Sequence, residues 1–92
     1  MAYELSYTRQ AEKDLAALPK GDAQRIVGKL ETMAADPLKA GGVVKLTNRD
    51  GYRIRSGNWR AVFLLDHGRL VVVVVKVETR GRVYRQGHER RA

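Results

Sequence analysis

Apolar and polar positions alternate at the start of the chain. Tyr3, Leu5 and Tyr7 fall on one side of an extended segment, and Glu4 and Ser6 fall on the other. A period of two marks a half-buried strand, so a strand is predicted over 3–7. The period then changes. Ala11, Leu15 and Leu18 recur at helical spacing, while Arg9, Glu12, Lys13 and Asp14 fall mostly elsewhere on the wheel. Thr8 stands where a hydroxyl can accept from an orphan N–H of the first turn. Pro19 stops this helix, and Lys20-Gly21 leads to a second, predicted over 22–35. Its stripe is Ile26, Leu30 and Met33, widened by Ala23, Val27 and Ala34, with Met33 read as core filler. Gly28 inside it costs about 1 kcal/mol relative to alanine and is read as a point of close helix packing. Asp36-Pro37 ends the second helix. The short link and two apolar stripes predict an antiparallel helical hairpin that needs cover.

The second half reads as strands. Val43, Val44 and Leu46 suggest a short edge strand, followed by a polar turn over 47–50. Strands are predicted over 52–55 and 59–65, joined by the tight turn Ser56-Gly57-Asn58. On the first, Arg53 and Arg55 point one way and Tyr52 and Ile54 the other. On the second, Trp59, Ala61, Phe63 and Leu65 oppose Arg60, Val62 and Leu64. Asp66-His67-Gly68 reads as a hairpin turn, with Gly68 suited to a positive φ and His67 exposed. Residues 70–77 are apolar except for Lys76, and without alternation they predict the central strand. Glu78-Thr79-Arg80-Gly81 is read as its break. Arg82-Val83-Tyr84 forms a last short strand or an extended tail, and 85–92 is a charged, flexible tail. The expected architecture is one α+β domain over 1–92. Its two N-terminal helices pack on one face of a mostly antiparallel sheet, leaving the opposite face open.

Composition narrows the partners. Among 92 residues, 18 are Lys or Arg and 10 are Asp or Glu, a formal charge of +8. A charge of that size argues for nucleic acid first, an acidic protein second and an anionic membrane a distant third. With no cysteine, disulfides and zinc–thiolate sites are excluded. Two histidines, His67 and His88, are too few for a histidine-rich metal site. The opening Met-Ala-Tyr-Glu-Leu lacks the pattern of a signal peptide, and the run Leu70 to Val75 is too short for a membrane span. The expected compartment is the cytoplasm, with no cofactor and no metal.

The segment Gly51 to Arg60 carries the chemistry. Arg53 and Arg55 share a face onto which Arg60 returns, and Arg80 follows the end of the apolar strand. Guanidinium forks grip phosphate through two parallel hydrogen bonds. Grouped on a small area, they repel one another unless anions occupy the site. Tyr84 brings a phenol for stacking on a base or touching phosphate oxygen. Neither a glycine-rich phosphate loop nor a serine–histidine or cysteine–histidine pair is present. A catalyst built from these residues would therefore align a nucleophile carried by its substrate, such as an RNA 2′-hydroxyl, and stabilise the pentacoordinate charge. The bland alternative is a solvated two-stranded face.

Four parts of the chain together resemble the RelE/ParE superfamily of bacterial toxins from type II toxin–antitoxin systems, with the RelE-like branch favoured. They are Tyr3-Glu4-Leu5 leading to Ala11-Glu12-Lys13-Asp14-Leu15; Lys45-Leu46 followed by Gly51-Tyr52-Arg53-Ile54-Arg55; Asn58-Trp59-Arg60-Ala61-Val62-Phe63; and Arg80 with Val83-Tyr84. The resemblance implies two N-terminal helices against a curved, mostly antiparallel sheet of four to five strands. It also implies a cognate antitoxin whose helical and acidic segments wrap the toxin and block its basic face. In the RelE-like branch the activity is a metal-independent, ribosome-dependent endoribonuclease. It cuts messenger RNA in the A site by 2′-hydroxyl attack on the adjacent phosphate. The site residues carried over are Arg53, Arg55, Arg60, Arg80 and Tyr84.

The chain departs from the pattern where the best-studied RelE-like member has lysines, since Arg53 and Arg55 stay protonated and make poor bases. It has Thr79 where many relatives have histidine. Glu78 is a further candidate base, though it is expected at the strand break. Tyr84 would transfer a proton at the nucleophile or the leaving group. The alternatives are a ParE-like inhibitor of DNA gyrase, a catalytically weak homologue, and a basic domain that merely binds RNA.

Overall fold

The computed structural model describes residues 2–47 and 49–79. Five strands and two helices follow in the order β1 (Glu4–Tyr7), α1 (Arg9–Ala17), α2 (Lys20–Ala35), β2 (Val44–Lys45), β3 (Tyr52–Ser56), β4 (Trp59–Asp66) and β5 (Val71–Thr79). The strands form one sheet in the order β1-β5-β4-β3-β2. The three pairs from β2 to β5 are antiparallel, and β1 joins β5 in parallel. This is the predicted α+β arrangement. One correction concerns the apolar strand β5, which is interior but second from the edge, so β4 occupies the middle.

Local chemistry fixes the helices as expected. Thr8 is the N-cap of α1, and its Oγ1 accepts from the Ala11 N–H at 3.1 Å. Pro19 is the N-cap of α2, so the link between helices is shorter than predicted. The helices make their main contacts with strands rather than with each other: α1 lies on β5 and β1, and α2 on β3, β4 and β1. Gly28 is exposed on α2, and a Cβ there would meet nothing within 4 Å. The close-packing reading of this glycine is therefore corrected.

The core lies between the helices and one sheet face. Ala11, Ile26, Leu30, Met33 and Ala34 from the helices meet Ile54, Ala61, Phe63, Val72, Val74 and Val77 from the strands. Fully burying a side chain the size of Phe63 or Leu30 contributes about 1.5–3 kcal/mol. Tyr52 stacks on Phe63 at 5.8 Å between ring centroids. The Trp59 indole N–H donates to Asp22 Oδ2 at 3.0 Å, tying β4 to the start of α2.

Two turns position the strands. Ser56 pairs with Trp59, which leaves Gly57-Asn58 as a two-residue loop. Gly57 has φ +60° and Asn58 does not share the positive sign, the pattern of a type II′ hairpin. The turn after β4 differs from expectation. The positive φ falls on Leu70 (57°) and not on Gly68, while Asp66 Oδ1 accepts from the Arg69 N–H at 3.0 Å. His67 is exposed, as predicted, but its Nδ1 lies 2.8 Å from the Tyr3 hydroxyl.

The pairing of β4 with β5 contains a bulge. Val62 stands opposite Lys76 and Phe63 opposite Val74, so Val75 has no partner on β4. An extra residue reverses the alternation beyond it. Val72 and Val74 face the core, and after the bulge Val77 does so, three positions on rather than two. Lys76 and Glu78 are thereby turned onto the open face.

Candidate functional site

The open face of β3, β4 and β5 is built by register. Arg55 pairs with Arg60, and Arg60 with Glu78, giving one row across three strands. Arg53 pairs with Val62, and Val62 with Lys76, giving the next row, with Val44 of β2 beside Arg53. Adjacent strands lie about 4.8 Å apart and alternate residues about 6.6 Å apart, so four cationic side chains crowd an area of a few nucleotide phosphates. Arg55 is exposed, while Arg53 and Arg60 are half-buried. Val62 is only 5% exposed, flanked on its row by Arg53 and Lys76, whose aliphatic stems can cover it.

One carboxylate sits among these cations. Glu78 Oε2 lies 3.4 Å from Arg60 Nε, and Glu78 Oε1 lies 3.4 Å from Lys76 Nζ. The repulsion expected among the arginines is thus partly offset from within the chain. β5 continues through Thr79, so Glu78 belongs to the strand and not to a break.

Lys29 of α2 reaches the same face from the side. β2 ends its pairing at Val44 and Arg53, which leaves the outer edge of β3 bare at Arg55. Lys29 Nζ donates to the Arg55 carbonyl there at 2.6 Å. Lys29, Gly42, Val44, Arg53 and Arg55 line a pocket of about 250 Å³ beside the arginine rows. Such a concavity, rich in fixed donors, suits a phosphate oxygen or a carboxylate.

Of the five site residues read from the sequence, Arg53, Arg55 and Arg60 are brought together on one face. Arg80 and Tyr84 lie outside the described residues, as does the tail 85–92. Sequence reasoning missed Lys29 and Lys76. Lys29 belongs to the polar side of a helix, and nothing along the chain marks its reach to β3. Lys76 did carry a signal: without a bulge it would share the core phase of Val72 and Val74, where an unpaired ammonium is costly.

This fold, with its basic sheet face, defines a class, and comparison with known proteins agrees. The family described as the ParE toxin of the type II toxin–antitoxin system, parDE, matches residues 5–84. The chain belongs to this family, within the RelE/ParE superfamily of toxins. The toxin RelG of Mycobacterium tuberculosis (strain ATCC 25618 / H37Rv) is 25% identical over 87 residues, covering 94% of this chain and 100% of RelG. The toxin–antitoxin complex RelBE2 of M. tuberculosis contains a chain of the same fold. Its TM-score is 0.77 at 23% identity, over 87% of this chain and 93% of that one. A mutant of E. coli RelE, solved with a peptide of the antitoxin RelB, has a TM-score of 0.75 at 27% identity. That match covers 100% of both chains. The protein is a toxin of a toxin–antitoxin system, RelE-like in structure. No helix among the described residues is long and apolar enough to cross a membrane.

Proposed function

We propose that this toxin is a ribosome-dependent endonuclease that cuts messenger RNA in the A site. The observation that carries the reading is the convergence of Arg53, Arg55 and Arg60 in two adjacent rows of the open face, with Lys76 beside them. RNA supplies its own nucleophile, the 2′-hydroxyl next to the scissile phosphate. The protein's part is to bend the backbone into line and offset the charge of the pentacoordinate phosphorus. Arg60, held on the middle strand, contributes to the second task, and Arg53 and Arg55 bind the flanking phosphates. Arg80 adds a further guanidinium, and Tyr84 hands a proton to the leaving 5′-oxygen. A 2′,3′-cyclic phosphate and a free 5′-hydroxyl result, with no metal and no cofactor.

A cognate antitoxin controls this activity. The RelE-like neighbours solved with RelB support such a partner. Its acidic segment would lie across the arginine rows, covering phosphate-binding atoms and offsetting their repulsion together.

Primer extension on ribosomes programmed with defined messenger RNA tests the reading. New 3′ ends at the A-site codon are expected with the wild type, and free RNA stays largely intact. Arg60→Ala is expected to lose about 2–4 kcal/mol of transition-state stabilisation while keeping its fold. Intact A-site RNA on ribosomes that demonstrably carry the toxin would refute the proposal.

A second reading keeps the alternative of a ParE-like toxin, since the matching family is described as the ParE toxin: such a protein would inhibit DNA gyrase without RNA chemistry. A supercoiling assay separates the two. Loss of gyrase activity with unbroken ribosomal messenger RNA would select the second.

A further inference from the structure

Among the described residues of the open face near the arginines, one side chain is anionic. Every other polar group there is a cation: Arg53, Arg55, Arg60 and Lys76 on the strands, with Lys29 at the margin. Guanidinium and ammonium groups are donors only. RNA cleavage by its own 2′-hydroxyl needs a group that takes a proton, and Glu78 is the acceptor in place. Its carboxylate is held on two sides, by Arg60 and by Lys76, each at 3.4 Å. It stays three-quarters buried, with its side chain 25% exposed. The Val75 bulge is what brings it there, because an unbulged β5 would present residue 78 to the core.

Resting on the nuclease reading above, we infer that Glu78 is the general base of this toxin, with Lys76 and Arg60 as the cations that aim it. The row geometry gives each group a separate task. Arg60 sits between Arg55 and Glu78, so a phosphate gripped by Arg60 and Arg55 has its neighbouring ribose within reach of the third member of the row. Glu78 removes the proton from the 2′-hydroxyl as the 2′-oxygen forms its bond to phosphorus. The bond from phosphorus to the 5′-oxygen breaks, and that oxygen leaves with the proton that Tyr84 supplies. Glu78 then returns its proton to solvent, and Tyr84 regains from solvent the one it gave. Lys76, 3.4 Å from the carboxylate, holds it turned toward the ribose, which makes it a positioning residue.

Single-turnover cleavage on programmed ribosomes tests the inference, with ribosome binding measured alongside. Glu78→Gln keeps the shape and one hydrogen-bonding oxygen but cannot accept the proton. It is expected to cleave at least about 100-fold more slowly, the scale of a general base, with ribosome affinity within about threefold. Glu78→Ala is expected to be equally slow and to recover with added formate or acetate, whereas Glu78→Gln, its cavity filled, does not recover. Rescue by a free carboxylate is a response that a merely structural residue would not give. Circular dichroism and the thermal midpoint establish that both variants fold. If the wild type cleaves and Glu78→Gln cleaves as fast or faster, Glu78 is only an internal stand-in for phosphate; the inference then falls and the nuclease reading stands. Failure of formate and acetate to raise the rate of a folded, ribosome-bound Glu78→Ala also overturns it. If the wild type itself leaves A-site RNA uncut, both fall together.

Discussion

Tyr7 carries a cost on β1. Its ring is on the core side of β1, yet its hydroxyl is buried without a hydrogen-bond partner among the described residues. Burial, and secondarily the charge of Glu31, raise its pKa above the ordinary 10.0. The folded state therefore holds the phenol's proton more tightly than the unfolded chain. Its share of stability is complete below about pH 10 and is lost as pH rises through the folded value. Tyr7→Phe is expected to leave stability at pH 7 within about 1 kcal/mol, since it removes an unsatisfied group. It should also flatten the loss as pH rises above about 10. Urea midpoints at about pH 7 and above about pH 10 check it. Gly51 is the opposite case, a residue the site cannot do without. It has φ +117°, and a Cβ would stand 3.1 Å from the Phe63 carbonyl oxygen and 3.2 Å from Leu64 Cδ2. Gly51→Ala is expected to cost about 1–3 kcal/mol, read as a lower denaturant midpoint with an unchanged slope.

At the scale of elements, β5 explains what could and could not be read along the chain. Alternation over 3–7, the Thr8 cap, the Pro19 stop and the Gly57 hairpin were all legible because each is a local signal. A run of five valines carries no period, so neither the place of the bulge nor the facing of Glu78 could be read from it; Lys76 alone signalled a change of phase. The parallel pairing of β1 with β5 joins segments far apart in sequence, and nothing local specifies its direction. Where β1 stops, α1 takes over as the partner of β5. Thr8 Oγ1 donates to the Val75 carbonyl at 2.6 Å, and Asp14 Oδ2 accepts from the Val77 N–H at 2.9 Å. The helix thus covers a strand edge that would otherwise expose backbone groups. Asp14→Ala leaves the part-buried Val77 N–H unpaired and is expected to cost about 1–3 kcal/mol. Hydrogen exchange should show the loss concentrated at residues 75–79. Uniform exchange along β5 would show that Asp14 plays no such part.

For the molecule as a whole, the chain carries a charge of +8, and several of its cations meet on one sheet face. Arg53, Arg55, Arg60 and Lys76 share one sheet face with, among the described residues, one neighbouring carboxylate, while the core and both helices lie behind. The arginine rows were legible because a period of two separates them from Tyr52 and Ile54. Their partial neutralisation by Glu78 was not, since it depends on the bulge. A binding face that repels itself is less stable than it could be, and sites of this kind gain stability when the conflict is removed at the expense of function. Arg55 stands directly opposite Arg60, and like charges directly opposite are destabilising. Arg55→Glu should reverse that pair and add about 0.5–1 kcal/mol, which for a domain of this size raises Tm by about 2–8 °C. The gain belongs to charge and should shrink in about 0.5 M salt, where screening acts within a few ångströms. On the nuclease reading proposed above, messenger RNA cleavage on ribosomes should fall in the same variant, because the row would lose a phosphate contact. Thermal melts at low and high salt, run beside the cleavage assay, decide the matter. A variant that melts no higher at low salt would show that the arginines of this face do not strain the fold.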